Sequence, residues 1–212
     1  MPSCAIASYA LFGCFKGCTN IETPCALPAT TFATHAYDSM FYGCTKLTSC
    51  PALPSTTLNT YCYYQMFRGC TALTATMSSL PATTMKNYAY YYMFYGCTAL
   101  KTHCPLPATT IATSCYEYMF YGCNDLETIA ALPATTLAQY CYRYMYSGSA
   151  GIKVSETQTG DYQNAWRIPS SGTGTTASGF AASMLASTGG TFTGDPVLGT
   201  TYYTSNTVVA PT

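Results

Sequence analysis

Residues 106–126 read Leu106-Pro107-Ala108-Thr109-Thr110-Ile111-Ala112-Thr113-Ser114-Cys115-Tyr116-Glu117-Tyr118-Met119-Phe120-Tyr121-Gly122-Cys123-Asn124-Asp125-Leu126. The same succession runs through most of the chain. Leu-Pro recurs at Leu27, Leu53, Leu80, Leu106 and Leu132, at intervals of 26, 27, 26 and 26. Gly-Cys recurs with Cys18, Cys44, Cys70, Cys97 and Cys123, and closes as Tyr146-Ser147-Gly148-Ser149. Three places beyond it stand Ile21, Leu47, Leu73, Leu100, Leu126 and Ile152. A fixed period of this length means a repeat architecture, whose units are too small to bury an apolar face alone and stack to do so. Residues 1–7 align with 27–33, so the repeats are expected from the first residue.

Within a unit the spacing predicts a short strand and a short helix. A threonine of Leu132-Pro133-Ala134-Thr135-Thr136-Leu137 is placed to cap a helix by accepting a bond from a free amide. Leu137, Cys141 and Met145 follow at i, i+4 and i+8, an apolar stripe on one helical face flanked by Tyr142. The glycine of Phe-x-Gly-Cys then marks the left-handed stop past a helix end. The link to the next Leu-Pro has the length of one strand, with proline, which lacks an amide donor, at its end. The expected fold class is α/β. It is a solenoid of about six 26-residue turns, each a short strand plus a short helix. Adjacent strands would lie ~4.8 Å apart in a parallel sheet, with Leu/Ile, Met, Phe and Cys ladders inside.

Phe-x-Gly-Cys-x-x-Leu followed by Leu-Pro resembles the BspA-type leucine-rich repeat. The wording Leu-Pro-Ala-Thr-Thr with Tyr-x-x-Met-Phe-x-Gly-Cys is similar to repeats in surface proteins of gut bacteria and in proteins of their phages. The resemblance covers residues 1–154, with a period longer than the family's usual one. It implies a leucine-rich-repeat solenoid serving adhesion or receptor binding on a bacterial cell surface or a phage tail apparatus. The place it implies is extracellular, at a cell surface or on a virion. Gln158-Thr159-Gly160 and Arg167-Ile168-Pro169, followed by Gly172-Thr173-Gly174-Thr175-Thr176, resemble the ends of phage-encoded proteins with such repeats.

Beyond Val154 the composition turns to Gly, Ser and Thr, and the cysteines stop. Three parts are expected. Residues 1–154 form the solenoid. Residues 155–183 form a hairpin-like insertion, signalled by Thr159-Gly160-Asp161, and a Gly/Ser/Thr-rich connection that includes Ser170–Thr176. Residues 184–212, where Met184-Leu185 returns, form a degenerate capping repeat that keeps an end strand from edge-to-edge pairing. A small separate β module is the alternative for the last part.

Composition excludes several classes. Charged residues are 8% of the chain, against roughly 25% in ordinary soluble domains. At 49% hydrophobic, this is no charge-extended disordered polymer. Eight basic and eight acidic side chains cancel, and so few scattered cations make no basic face, so no nucleic-acid partner is expected. No run reaches the ~18 apolar residues of a membrane span, so no membrane insertion is expected. Met1-Pro2-Ser3-Cys4 has neither a basic n-region nor an apolar h-region, so no secretory signal is expected in this sequence.

The thirteen cysteines are odd in number and mostly hold fixed places in the repeat. Cys62, Cys115 and Cys141 alternate with Ala36 and Ala89, which reads as small and buried, so packed free thiols are expected. Cys115 and Cys141 are the pair that neighbouring turns could bring within the disulfide range of about 4.4–6.8 Å. Cys14 and Cys18 resemble half a metal site, yet Cys14 stands where other units carry Met40, Met66, Met93, Met119 and Met145. No second pair converges on them, and His103-Cys104 stands alone. No nucleophile elbow, phosphate loop or His-Glu-x-x-His occurs, so no enzyme, metal or cofactor is expected.

The copies differ from one another at a few positions. Tyr61, Tyr88 and Tyr140 share one with His35 and Ser114; Tyr64, Tyr91 and Arg143 share another with Asp38 and Glu117. Tyr92, Tyr118 and Tyr144 alternate with Ser39 and Gln65, and Arg68, Tyr95 and Tyr121 with Tyr42 and Ser147. A constant backbone with changing side chains reads as the outer face of the helical side. Tyrosine supplies stiff contact area with a polar tip. Those twelve tyrosine and arginine positions are the candidate recognition face, with a protein or glycan as ligand. Tyr37, Tyr63, Tyr90, Tyr116 and Tyr142, constant through these five copies, read instead as structural stacking. The alternative function is a structural protein whose copies self-associate into extracellular fibres through an uncharged face.

Overall fold

Every fourth residue of the variable segment has a left-handed backbone. In the second repeat His35, Ser39 and Gly43 have φ of 56°, 56° and 72°, and in the fourth Tyr88, Tyr92 and Gly96 have 57°, 57° and 70°. A left-handed residue costs an L-amino acid roughly 1–2 kcal/mol and ends a right-handed helix. The computed structural model, which describes residues 5–169 and 179–211, accordingly contains no helix among them. The expected α/β construction with a helix in each turn is therefore corrected. Leu137, Cys141 and Met145 are buried as an apolar stripe should be, but on a run of tight turns. The four-residue interval that suggested a helix is the period of those turns. Thr135 and Thr136 have no helix to cap. The alignment of Met1–Cys4 and the connection Ser170–Thr176 lie outside the described residues.

The amides explain what replaces the helix. They alternate between two partners, one inside the turn and one in the next repeat. Asp38, Met40, Tyr42 and Cys44 donate to the carbonyls of His35, Tyr37, Ser39 and Phe41, three residues back. Tyr37, Ser39, Phe41 and Gly43 donate to Cys62, Tyr64, Met66 and Arg68 in the following repeat. We call each such run a coil: coil 1 is 9–18, coil 2 is 35–44, coil 3 is 61–70, coil 4 is 88–97, coil 5 is 114–123 and coil 6 is 140–149. Coil 7, at 179–187, continues the ladder. Tyr142, Tyr144, Tyr146 and Gly148 donate to Phe180, Ala182, Met184 and Ala186, and Gly179, Ser183 and Ser187 are again left-handed. Backbone groups that a helix would satisfy locally are thus satisfied between coils, as buried amides require.

Extended structure is sparse. β1 (Ala5–Ile6) pairs in parallel with β2 (Thr31–Phe32). Single parallel bridges join Ala75 to Thr102, and Thr84 to Thr110 to Thr136. β3 (Thr128–Ala130) pairs in parallel with β7 (Thr207–Val209). β4 (Val154–Ser155) and β5 (Asn164–Arg167) both pair antiparallel with β6 (Thr201–Thr204), which lies between them. The Trp166 indole donates to the Ala130 carbonyl at 2.8 Å, tying this sheet to the repeats.

Side-chain columns fill the interior. Phe15, Phe41, Phe67, Phe94, Phe120 and Tyr146 stack with ring centroids 5.4–5.7 Å apart. Tyr37, Tyr63, Tyr90, Tyr116 and Tyr142 form a second buried column at 5.7–5.9 Å. Cys44, Cys70, Cys97 and Cys123 each aim Sγ at the Phe carbonyl of the preceding coil, at 3.1–3.2 Å. In coil 6 Ser149 takes that role, donating to Phe120 at 2.7 Å. The twelve described cysteines, Cys115 and Cys141 among them, are free. Burial pushes the thiols of Cys70, Cys123 and Cys141 up to about 12, so they stay protonated.

Candidate recognition face

All twelve candidate residues lie on coils 3–6, and each is half-buried. Four columns arise because the coil backbone repeats every turn while these side chains change. In the first, Tyr9, His35, Tyr61 and Tyr88 stack at 4.6, 4.5 and 4.7 Å, and the column breaks at buried Ser114 before Tyr140. In the second, Tyr64 stacks on Tyr91 at 5.4 Å, and Glu117 and Arg143 follow as an ion pair. The third is Tyr92, Tyr118 and Tyr144 at 4.5 and 4.7 Å. In the fourth, Tyr95 stacks on Tyr121 at 4.7 Å. Edge contacts such as Tyr91 to Tyr92, at 4.4 Å and 81°, knit the columns together.

The chemistry of this surface is neutral and donor-rich. Burial raises the phenols of Tyr61, Tyr64 and Tyr91 and pushes Tyr118 up to about 12, helped by the Asp38 carboxylate at Tyr64, the Glu117 carboxylate at Tyr91 and neighbouring rings throughout, so these hydroxyls remain protonated in any physiological setting. Arg68 lies 4.7–5.5 Å from the ring centroids of Tyr42, Tyr92 and Tyr95, and Arg143 lies 4.0 Å from that of Tyr140. The Arg143 guanidinium also donates through Nε to buried Glu117 at 2.6 Å. Asp38 is buried beneath His35 and accepts from Ser39 at 2.6 Å.

The columns extend beyond what the sequence assigned. Tyr9 prolongs the first, and Lys16 lies 4.7 Å from the Tyr42 ring centroid in the fourth. Counting one period back from His35 and Tyr42 locates both. The threonine pairs form a different exposed row. Thr30, Thr31, Thr56, Thr57, Thr83, Thr84, Thr109, Thr110, Thr135 and Thr136 are all exposed.

Among the described residues no group of three or more His, Cys, Asp or Glu is placed to hold a metal ion. Cys14 and Cys18 are exposed on coil 1. His103 is buried against Phe120 at 4.9 Å, with Nδ1 2.9 Å from the Cys104 carbonyl, a core histidine. No helix among the described residues is long and apolar enough to cross a membrane.

Stacked coils with a largely constant interior and a variable aromatic exterior define a class of protein, the repeat solenoid. The chain belongs to the BspA-type leucine-rich repeat family, whose repeat region matches residues 8–116 and 91–160 in six copies. Repeats of this family are typically non-catalytic interaction modules of surface-associated proteins, and adhesion or recognition is the general role that membership supports. No curated protein and no solved structure matches the chain.

Proposed function

We propose that the tyrosine columns of coils 3–6 are the ligand-binding face of an adhesion module, working outside the cell on a bacterial surface or a phage tail apparatus. The ligand is a protein or a glycan. In this reading 1–154 is the recognition rod, 155–183 an insertion and connection, and 184–212 its capping piece, with coil 7 (179–187) running across the boundary between the last two. The observation that carries it is the contrast between columns. In coils 2–6 Tyr37 and its equivalents are identical and buried, with Leu11 at that place in coil 1, whereas the positions of Tyr61, Tyr64, Arg68 and Tyr92 change from coil to coil on a fixed backbone. Half-buried, mutually stacked rings lose little side-chain entropy on binding, which suits a recognition surface.

The test is binding of the labelled chain to a panel of intact bacterial cells and to a glycan array. The triple variant Tyr91→Ser, Tyr92→Ser, Tyr95→Ser should lose the signal. The triple Tyr→Phe variant keeps the stacks and reports on the hydroxyls alone. Unchanged binding by the Ser variant would overturn the assignment.

Self-association into fibres is the second reading, favoured by the low charge. It requires purified chain to assemble unaided in dilute buffer, which negative-stain microscopy decides directly.

A further inference from the structure

The charges of this neutral chain are unevenly placed. Coils 1–6 hold three lysine or arginine side chains, Lys16, Arg68 and Arg143, and two acids, Asp38 and Glu117. Both acids are buried, at 4% and 1% exposure. Ser39 donates to the Asp38 carboxylate at 2.6 Å, and the His35 ring lies 2.7 Å from it. Arg143 donates to Glu117. The carboxylates of the coils are thus withdrawn from the surface, and Arg143 is committed to one of them.

Lys16 and Arg68 have no such commitment. They belong to the fourth column, which runs Lys16, Tyr42, Arg68, Tyr95, Tyr121 and Ser147 and contains no acid. Tyr42 carries a cation from the coil on either side, with Lys16 Nζ 4.7 Å and Arg68 Cζ 5.5 Å from its ring centroid. Tyr92 and Tyr95 hold the Arg68 guanidinium from the next coil, at 5.1 and 4.7 Å. Among the described residues neither cation has a carboxylate at ion-pair distance, and no protein oxygen accepts from the Arg68 guanidinium. Rings cover its faces, so its N–H edge is left for a ligand, in the planar fork that matches a carboxylate. The stack also fixes this side chain in advance, which lowers the entropy lost on binding.

We propose that the fourth column is a carboxylate-binding row and that the ligand of the tyrosine face is an acidic glycan, a polymer of uronic-acid sugars. This inference rests on the reading of that face as the recognition surface and names its ligand class. Charge complementarity calls for an anion. The surroundings favour a sugar over an acidic polypeptide. The rings spend their faces on one another, so they offer hydroxyls and edges outward, which suit a ligand dense in hydroxyl groups. A polypeptide would need apolar pockets for its anchoring side chains, yet the exposed large hydrophobic residues, Tyr9, Phe12 and Val197, lie outside coils 3–6. Lys16 and Arg68 stand two coil spacings apart, roughly 10 Å, so a polymer with recurring carboxylates engages both.

The test follows binding of the full chain to immobilised polygalacturonate, a linear uronic-acid polymer, at physiological ionic strength. The fully methyl-esterified polymer keeps the sugar backbone and removes the charge; poly-glutamate keeps the charge and removes the sugar. Each should bind at least ~10-fold more weakly than polygalacturonate. The double variant Lys16→Gln, Arg68→Gln should lose at least ~10-fold in affinity for polygalacturonate, because glutamine leaves a planar amide between the rings but no charge. Lys46→Gln with Lys153→Gln removes the same charge from exposed positions outside the coils and should bind as the unaltered chain does. Equal binding of the ester or of poly-glutamate overturns the inference, as does absence of binding to polygalacturonate or equal loss in the two double variants. The recognition face is judged separately. If the Tyr91→Ser, Tyr92→Ser, Tyr95→Ser chain loses its cell or glycan-array signal while polygalacturonate is not bound, the face stands and only the acidic ligand falls.

Discussion

His103 occupies a position held by Cys50, Met77 and Ile129 in other repeats, and burial pushes its imidazole down to about 4. The unfolded chain takes up a proton near pH 6.5 that the folded chain refuses until about pH 4. Stability therefore falls as pH falls through that window, by about 3 kcal/mol in all. Urea denaturation at several pH values should show this slope, and His103→Met should flatten it. The Glu117–Arg143 pair gives a second residue-level expectation. Arg143→Ala leaves the buried Glu117 carboxylate without its partner and should cost about 3 kcal/mol. Arg68→Ala, which removes a cation from over three rings, should cost about 1 kcal/mol. Similar shifts in urea midpoint for the two would mean that Glu117 is better solvated than its burial indicates.

A coil is an element without a name in the helix-and-strand vocabulary, and its signature is the left-handed residue at every fourth place. Far-UV circular dichroism should show none of the double minimum of an α-helix. Gly96 is the sharper probe, because a Cβ there would meet nothing within 4 Å. Gly96→Ala should still cost about 1 kcal/mol, through its φ of 70° alone. No loss on thermal unfolding would mean the turn tolerates another backbone. Phe67→Ala interrupts a column between Phe41 and Phe94 and should cost about 3–5 kcal/mol. The sequence concealed the coil because positions 36–37, 40–41 and 44 are buried in an order that a short helix also produces. One clue was present. Gly13 and Gly17 stand four apart in the first repeat, at the places of Ser39 and Gly43.

At the scale of the molecule, each coil touches only its neighbours, so stability is approximately a sum over coils and their interfaces. Deleting residues 81–106 joins Leu80 to Pro107 in register. The shortened chain should stay folded with a lower thermal midpoint, whereas a chain with one indivisible core would unfold.

The repeat and the residues of each buried column were legible in the amino-acid sequence, because a stack imposes one volume on every copy of a position and leaves that constraint visible as periodicity. The four variable columns were legible for the complementary reason. The backbone path was not. Turn and helix bury the same side chains over ten residues, and the choice rests on amides that bond to a neighbouring coil 26 residues away. Such bonds exist only once the coils are stacked. Likewise, the ring-to-ring contacts and the single direction of the bonds between coils belong to the assembled ladder, since only there does each coil acquire a donor side and an acceptor side.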